Sequence, residues 1–129
     1  IADCRKVGAN LLLNVGPTAT GKIPGYECET ILRVGDWVKR YADIIYYGIP
    51  TDIIGQDKDF VLELNGKLYL FIYKLNAEGD ANVVISGNGN GPRAFAECYH
   101  KIKNIQWLDN NEQLAFAADD KSGLLTVHA

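Results

Sequence analysis

The chain has 129 residues, 47% of them hydrophobic, and a formal net charge of -3. That is enough length and apolar content for one ordinary domain, or one small domain with an appendage, and it excludes a disordered chain. There is no basic block, which counts against nucleic acid or an anionic membrane surface as a partner, and no apolar run approaches the roughly 18 residues of a membrane span.

The chain opens on Ile1, contains no Met, and runs at once into helix-like sequence without anything resembling a signal peptide. A piece of a longer polypeptide is expected to read this way. Residues 3–8 read as the end of a helix, with Gly8 as its stop. Residues 10–14 are an apolar run without alternation, which predicts a strand buried on both faces. A Gly16-Pro17 turn and a polar loop follow. Pro24 then opens a helix whose first turns carry Glu27 and Glu29, where the helix dipole favours anions. Cys28, Ile31, Gly35, Val38, Ala42 and Ile45 recur at steps of three and four, a helical stripe. Gly35 within that stripe predicts close packing against another element. Lys39 and Arg40 lie near the far end, where cations are favoured.

After Gly48-Ile49-Pro50 the period changes to two. Residues 59–64 and 67–74 predict strands joined by Asn65-Gly66, a strong hairpin signal. A two-residue turn there sets Leu62 beside Tyr69 and Phe60 beside Phe71. Residues 81–86 predict another strand and residues 87–92 a flexible loop. Residues 97–108 should hold a strand with a bulge, because Ile102, Ile105 and Trp107 break strict alternation. Residues 113–118 and 124–128 close the chain around a turn at 119–123. Short strands with turn signals between them argue for an antiparallel sandwich. The boundary lies near residues 48–58, giving one βα unit over 1–50 and an all-β module over 51–129.

Few residues carry chemistry. Three cysteines at wide spacing form no metal-ligand pair and are expected to be buried, reduced thiols. The acidic pairs Glu27/Glu29, Asp57/Asp59 and Asp119/Asp120 sit at a helix start or in turns, where solvation and capping explain them better than catalysis. His100 and His128 are lone, and no metal site is predicted. The glycine-rich run 87–91 lacks the Lys-Ser/Thr of a phosphate loop. Trp37, Tyr46, Tyr47 and Trp107 are large aromatics whose spacing favours a core role. Asn14 ends the first predicted strand, at the edge where α/β folds place their chemistry, and is the one candidate substrate-binding side chain. An Asn there equally suits a turn.

The run over residues 10–24, N-L-L-L-N-V-G-P-T-A-T-G-K-I-P, resembles the α-L-fucosidases of glycoside hydrolase family 29. Asp3, Gly8, Asn10, Leu11, Leu12, Leu13, Asn14, Gly16, Pro17, Gly21, Ile23 and Pro24 stand in that family's register. Val7 and Ala9 depart from it, where Lys and Gly are common. Gly35-Asp36-Trp37 with Ile45-Tyr46, Ile105-Gln106-Trp107-Leu108 and Leu114-Ala115-Phe116 are similar to later segments of the family. The resemblance implies an α+β fragment: the last strand-helix unit of a (β/α)8-like barrel over residues 10–47, then a C-terminal antiparallel β-sandwich. It implies a parent that removes terminal α-L-fucose from glycans by a retaining double displacement. The nucleophile and acid/base would lie upstream, so no residue here is assigned as catalytic, and the 129 residues alone are expected to be inactive. No metal or organic cofactor is implied. The alternative is a non-catalytic carbohydrate-binding or structural sandwich module, which as a sugar binder would need Trp107 or a Tyr pair in a shallow groove. Without its flanking strands the barrel remnant is expected to self-associate.

Overall fold

The computed structural model describes residues 1–75 and 91–129. It contains helices α1 (Ala2–Lys6), α2 (Gly25–Arg40) and α3 (Ala42–Tyr47). The strands are β1 (Ile49–Gly55), β2 (Phe60–Leu64), β3 (Lys67–Phe71), β4 (Pro92–Ala96), β5 (Ala115–Asp119) and β6 (Leu124–His128). The described strands join in one sheet of order β3-β2-β1-β4-β6-β5, with antiparallel pairing of β1 with β4, β4 with β6, and β5 with β6. This is an α+β chain with its helices first and an antiparallel sheet after them. The predicted strand over 81–86 and most of the loop over 87–92 lie outside the described residues.

Two compact units divide the chain. One comprises Ile1–Pro50 and Leu62–Tyr69, the other Thr51–Val61 and Leu70–Ala129.

In the first unit α1 ends as the sequence predicts. Val7 is its last half-helical residue, and Gly8 takes the left-handed conformation (φ 67°). The Gly8 N–H reaches the Arg5 carbonyl at 3.2 Å, and the Ala9 N–H reaches the Cys4 carbonyl at 2.8 Å. That pair of bonds satisfies carbonyls the helix would otherwise leave open. Arg5 donates from Nη2 to the Gly48 carbonyl at 2.7 Å, tying α1 to the chain just beyond α3. The predicted long helix is real but broken at Tyr41 (φ -112°, ψ 27°), which separates α2 from α3. Ile31, Val34 and Val38 form its half-buried stripe, and Ile44 and Ile45 on α3 are fully buried.

Three expectations need correction here. Residues 10–14 form no strand and lie exposed, with Leu12 84% and Leu13 57% accessible. A parallel strand buried on both faces requires two flanking strands, and none of the described strands pairs with this run. Gly35 makes no close packing among the described residues: apart from its chain neighbours and its own helix backbone, no heavy atom of theirs lies within 4 Å of where its Cβ would stand. Cys28 is exposed and Cys4 half-buried; Cys98 alone of the three thiols is buried.

The β2–β3 hairpin turns through Asn65 (φ 52°) and Gly66 (φ 73°), the positive-φ pair that a tight hairpin turn requires. In the second unit the Phe60 and Phe71 rings stack at 4.5 Å and 10°, which is the pairing the two-residue turn dictates. β4 alternates strictly, with Arg93 and Phe95 buried and their neighbours exposed. Opposite them stand Val127 and Leu125 of β6, also buried. Phe95, Leu125, Val127, Ile53, Phe60, Val61 and Cys98 form this unit's core. Each large apolar side chain among them contributes about 1.5–3 kcal/mol relative to exposure.

The strand expected over 97–108 is replaced by a loop. Glu97 takes φ 61°, which ends β4, and the Cys98 N–H turns to the Gly123 carbonyl at 2.8 Å. Pairing resumes only at a bridge between Gln106 and Gln113, flanked by bonds from Trp107 to Glu112 and from Leu114 to Ile105. The 119–123 turn forms as predicted, closed by the Gly123 N–H on the Asp119 carbonyl at 2.9 Å.

Candidate functional site

The candidate site is the loop over residues 14–24 with the first turn of α2. Asn14 lies exposed at its start. The loop is organised at two points. At its tip the Thr18 N–H bonds the Lys22 carbonyl at 2.8 Å, and the Gly21 N–H bonds the Thr18 carbonyl at 2.9 Å. The Thr18 hydroxyl also accepts the Lys22 N–H at 3.1 Å and lies 3.0 Å from the Thr20 hydroxyl. At its base the Gly16 N–H donates to Glu27 Oε2 at 2.9 Å. Glu27 Oε1 accepts the Tyr26 hydroxyl at 3.3 Å, so both carboxylate oxygens are engaged. Pro24, the N-cap of α2, offers no side-chain cap, and Glu27 stands in the first turn where the dipole favours an anion. A shallow, open groove of about 460 Å³ lies along α2, lined by Tyr26, Glu29, Thr30, Arg33 and Val34.

The other sequence candidates separate into structural roles. Asp59 is 1% exposed and accepts the Tyr73 N–H on Oδ1 at 2.8 Å. Its Oδ2 faces Arg93 Nη1 at 3.8 Å and has no hydrogen bond of its own. Arg93 Nη2 donates to the Tyr73 and Lys74 carbonyls at 3.1 and 3.2 Å. The sequence does not announce this buried ion pair, because Asp59 stands there as one of an acidic pair beside a turn. The signal available was the alternation of β4, which sets Arg93 on the same face as Phe95. Asp57 occupies the turn beside Asp59 with φ 54°. Asp119 accepts the Lys121 N–H at 3.0 Å. A side-chain bond from Ser122, and then that backbone bond, hold its carboxyl below the ordinary Asp value. Tyr99 donates to Glu97 Oε2 at 3.0 Å, and that bond with the carboxylate's charge raises the phenol above its usual value. His100 and His128 are both exposed.

The aromatics expected in the core are largely outside it. Tyr46 and Tyr47 are 63% and 69% exposed, because α3 buries only Ile44 and Ile45 and its last turn lies open. Their rings stand 6.4 Å apart and tilted by 60°, so they present no common flat face to a sugar ring. Trp37 packs edge-on against Tyr41 at 5.4 Å, and Trp107 is half-buried.

Residues 1–43, which include the whole loop and all of α2, match the family model described as alpha-L-fucosidase. An alpha-L-fucosidase of Dictyostelium discoideum is 32% identical over 77 residues, covering 56% of this chain and 16% of that relative. Structures of Thermotoga maritima alpha-fucosidase, one in complex with fucose and one with a mechanism-based inhibitor, superpose with a TM-score of 0.67. They are 20% identical and cover 98% of this chain and 28% of theirs, a likeness that speaks for the fold. The chain thus spans about a quarter of the length of these structures and less of the curated relative. The class these matches point to is the glycoside hydrolases. Among them, what the chain is similar to is the alpha-L-fucosidases, over residues 1–43 in the family model and over 77 residues in the Dictyostelium relative.

Proposed function

We propose that this chain is the C-terminal portion of a family 29 α-L-fucosidase. Residues 10–47 would be the last strand and helix of its (β/α)8-like barrel, within a segment 1–50, and residues 51–129 its C-terminal β-sandwich. The parent would cleave terminal α-linked L-fucose from glycans with retention, using two carboxylates about 5–5.5 Å apart that lie upstream. Asn14 would contact the sugar from the end of the last barrel strand. The observation that carries this reading is the run over residues 10–24, which holds the family register inside the segment matched by the family model.

One member of each acidic pair named above has a structural partner, which supports an upstream location for the chemistry. Glu27 is occupied by a backbone N–H, Asp59 is buried against Arg93, and Asp119 is held in a hairpin turn. Hydrolysis of an aryl α-L-fucoside is the test. The 129-residue chain should give no turnover, while the full-length polypeptide containing it should. Turnover by the short chain would place the reacting carboxylates within these residues and sink the assignment.

The exposed run 11–13 would lie between neighbouring strands of the barrel. In the isolated chain we expect it to drive self-association. Sedimentation velocity should show concentration-dependent association that Leu12→Lys weakens, with stability unchanged within about 0.5 kcal/mol because Leu12 is so exposed. A wild-type chain that stays monomeric across the concentration range would refute this.

A further inference from the structure

We infer that Glu27 is a positioning residue for the sugar-binding loop, an inference that rests on the proposed function of Asn14. The Glu27 carboxylate reaches back from the first turn of α2 to a backbone N–H two residues beyond Asn14. A hydrogen bond to an ionised acceptor is among the stronger ones, and the helix N-terminus favours the anion there. Glu27 is half-buried while Asn14 and Gly16 are exposed, so the bond is anchored on the more enclosed side. The second oxygen of Glu27 accepts the Tyr26 hydroxyl at 3.3 Å. The tip of the loop closes on itself through Thr18, Gly21 and Lys22 and needs nothing from α2. The Glu27–Gly16 bond is therefore the polar link that sets where the base of the loop, and Asn14 with it, stands relative to the helix. A Cβ on Gly16 would meet Glu27 Oε1 at 3.6 Å, an ordinary contact, so it is the bond and not steric exclusion that positions this point.

The experiment uses the full-length polypeptide and an aryl α-L-fucoside. Glu27→Ala should raise KM about tenfold with kcat within about twofold, the signature of lost ground-state positioning. Glu27→Gln keeps an acceptor and should return KM to within about threefold of wild type. Glu27→Ala added to Asn14→Ala should raise KM no further, because both act through one contact. Hydrogen exchange of the peptide spanning residues 12–18 should accelerate in Glu27→Ala alone of the two Glu27 variants. An inactive wild-type polypeptide overturns the proposed function and this inference with it. An active wild type with unchanged KM in Glu27→Ala, additive effects with Asn14→Ala, or unchanged exchange overturns the inference while leaving the function standing.

Discussion

Arg93→Leu should destabilise the chain by about 3–5 kcal/mol, measured as a fall in the urea midpoint at unchanged slope. The substitution is close to Arg in reach along its stem and fully apolar, so packing beside Phe95 and Val127 is largely kept. What it removes is the guanidinium that stands 3.8 Å from Asp59 Oδ2. Asp59 is 1% exposed, and the Tyr73 N–H on Oδ1 would be left facing a full buried charge whose Oδ2 accepts no hydrogen bond. The Tyr73 and Lys74 carbonyls would lose their guanidinium donor in the same step. Burying an uncompensated charge is far more costly than never having the pair, so the double variant Asp59→Asn with Arg93→Leu should recover a good part of the loss. Near-equal midpoints for Arg93→Leu and wild type would mean that the pair is solvated and does not brace the sheet. Against a total stability of about 5–15 kcal/mol for a domain, the expected loss is large enough to unfold the chain at modest denaturant.

That ion pair also shows where sequence reasoning stops. Asn65-Gly66, Gly8 and the 119–123 turn were legible because each is fixed by residues within a few positions of one another. The Phe60–Phe71 stack followed from the turn by counting. Arg93 and Asp59 are 34 positions apart, and nothing local announces that a turn aspartate will be buried; only the face of β4 shared with Phe95 hinted at it. Residues 10–14 failed for the opposite reason. Their pattern states what kind of neighbour they require, strands on both sides, while no described segment supplies one. The sequence therefore describes an environment, and Leu12 at 84% exposure shows that the described residues do not provide it. Tyr46 and Tyr47 belong with this group: their helical spacing says which residues share a face, but not whether anything covers that face. Glu27 was read correctly as an anion suited to a helix start; its partner, 11 positions back in a loop, was not visible.

Gly55→Ala should cost about 2–3 kcal/mol, more than its single methyl suggests. Gly55 pairs with Phe95 at the end of β1, and the chain then reverses through 56–59, held by the Gln56 N–H on the Ala94 carbonyl at 3.1 Å and the Asp59 N–H on the Gln56 carbonyl at 2.9 Å. A Cβ at position 55 would collide with the Asp59 carbonyl oxygen, lie 2.6 Å from its carbonyl carbon and 2.9 Å from its Cβ. These are backbone and near-backbone atoms, which cannot rotate aside as a side-chain tip would. Relief requires moving the turn, and moving the turn carries Asp59 away from the Tyr73 N–H and from Arg93. Overpacking alone costs about 1–3 kcal/mol, and disturbing a buried charge takes the effect to the upper part of that range. Because both variants act on Asp59, Gly55→Ala and Arg93→Leu should sum to less than their separate losses, a coupling that a double-mutant cycle in urea measures directly. Gly35→Ala is the matched control: its Cβ would meet open space on a helix, so it should stabilise by about 1 kcal/mol. A Gly55→Ala chain as stable as wild type would show that the 56–59 turn yields freely, and that Asp59 is not held in place by the close approach of β1.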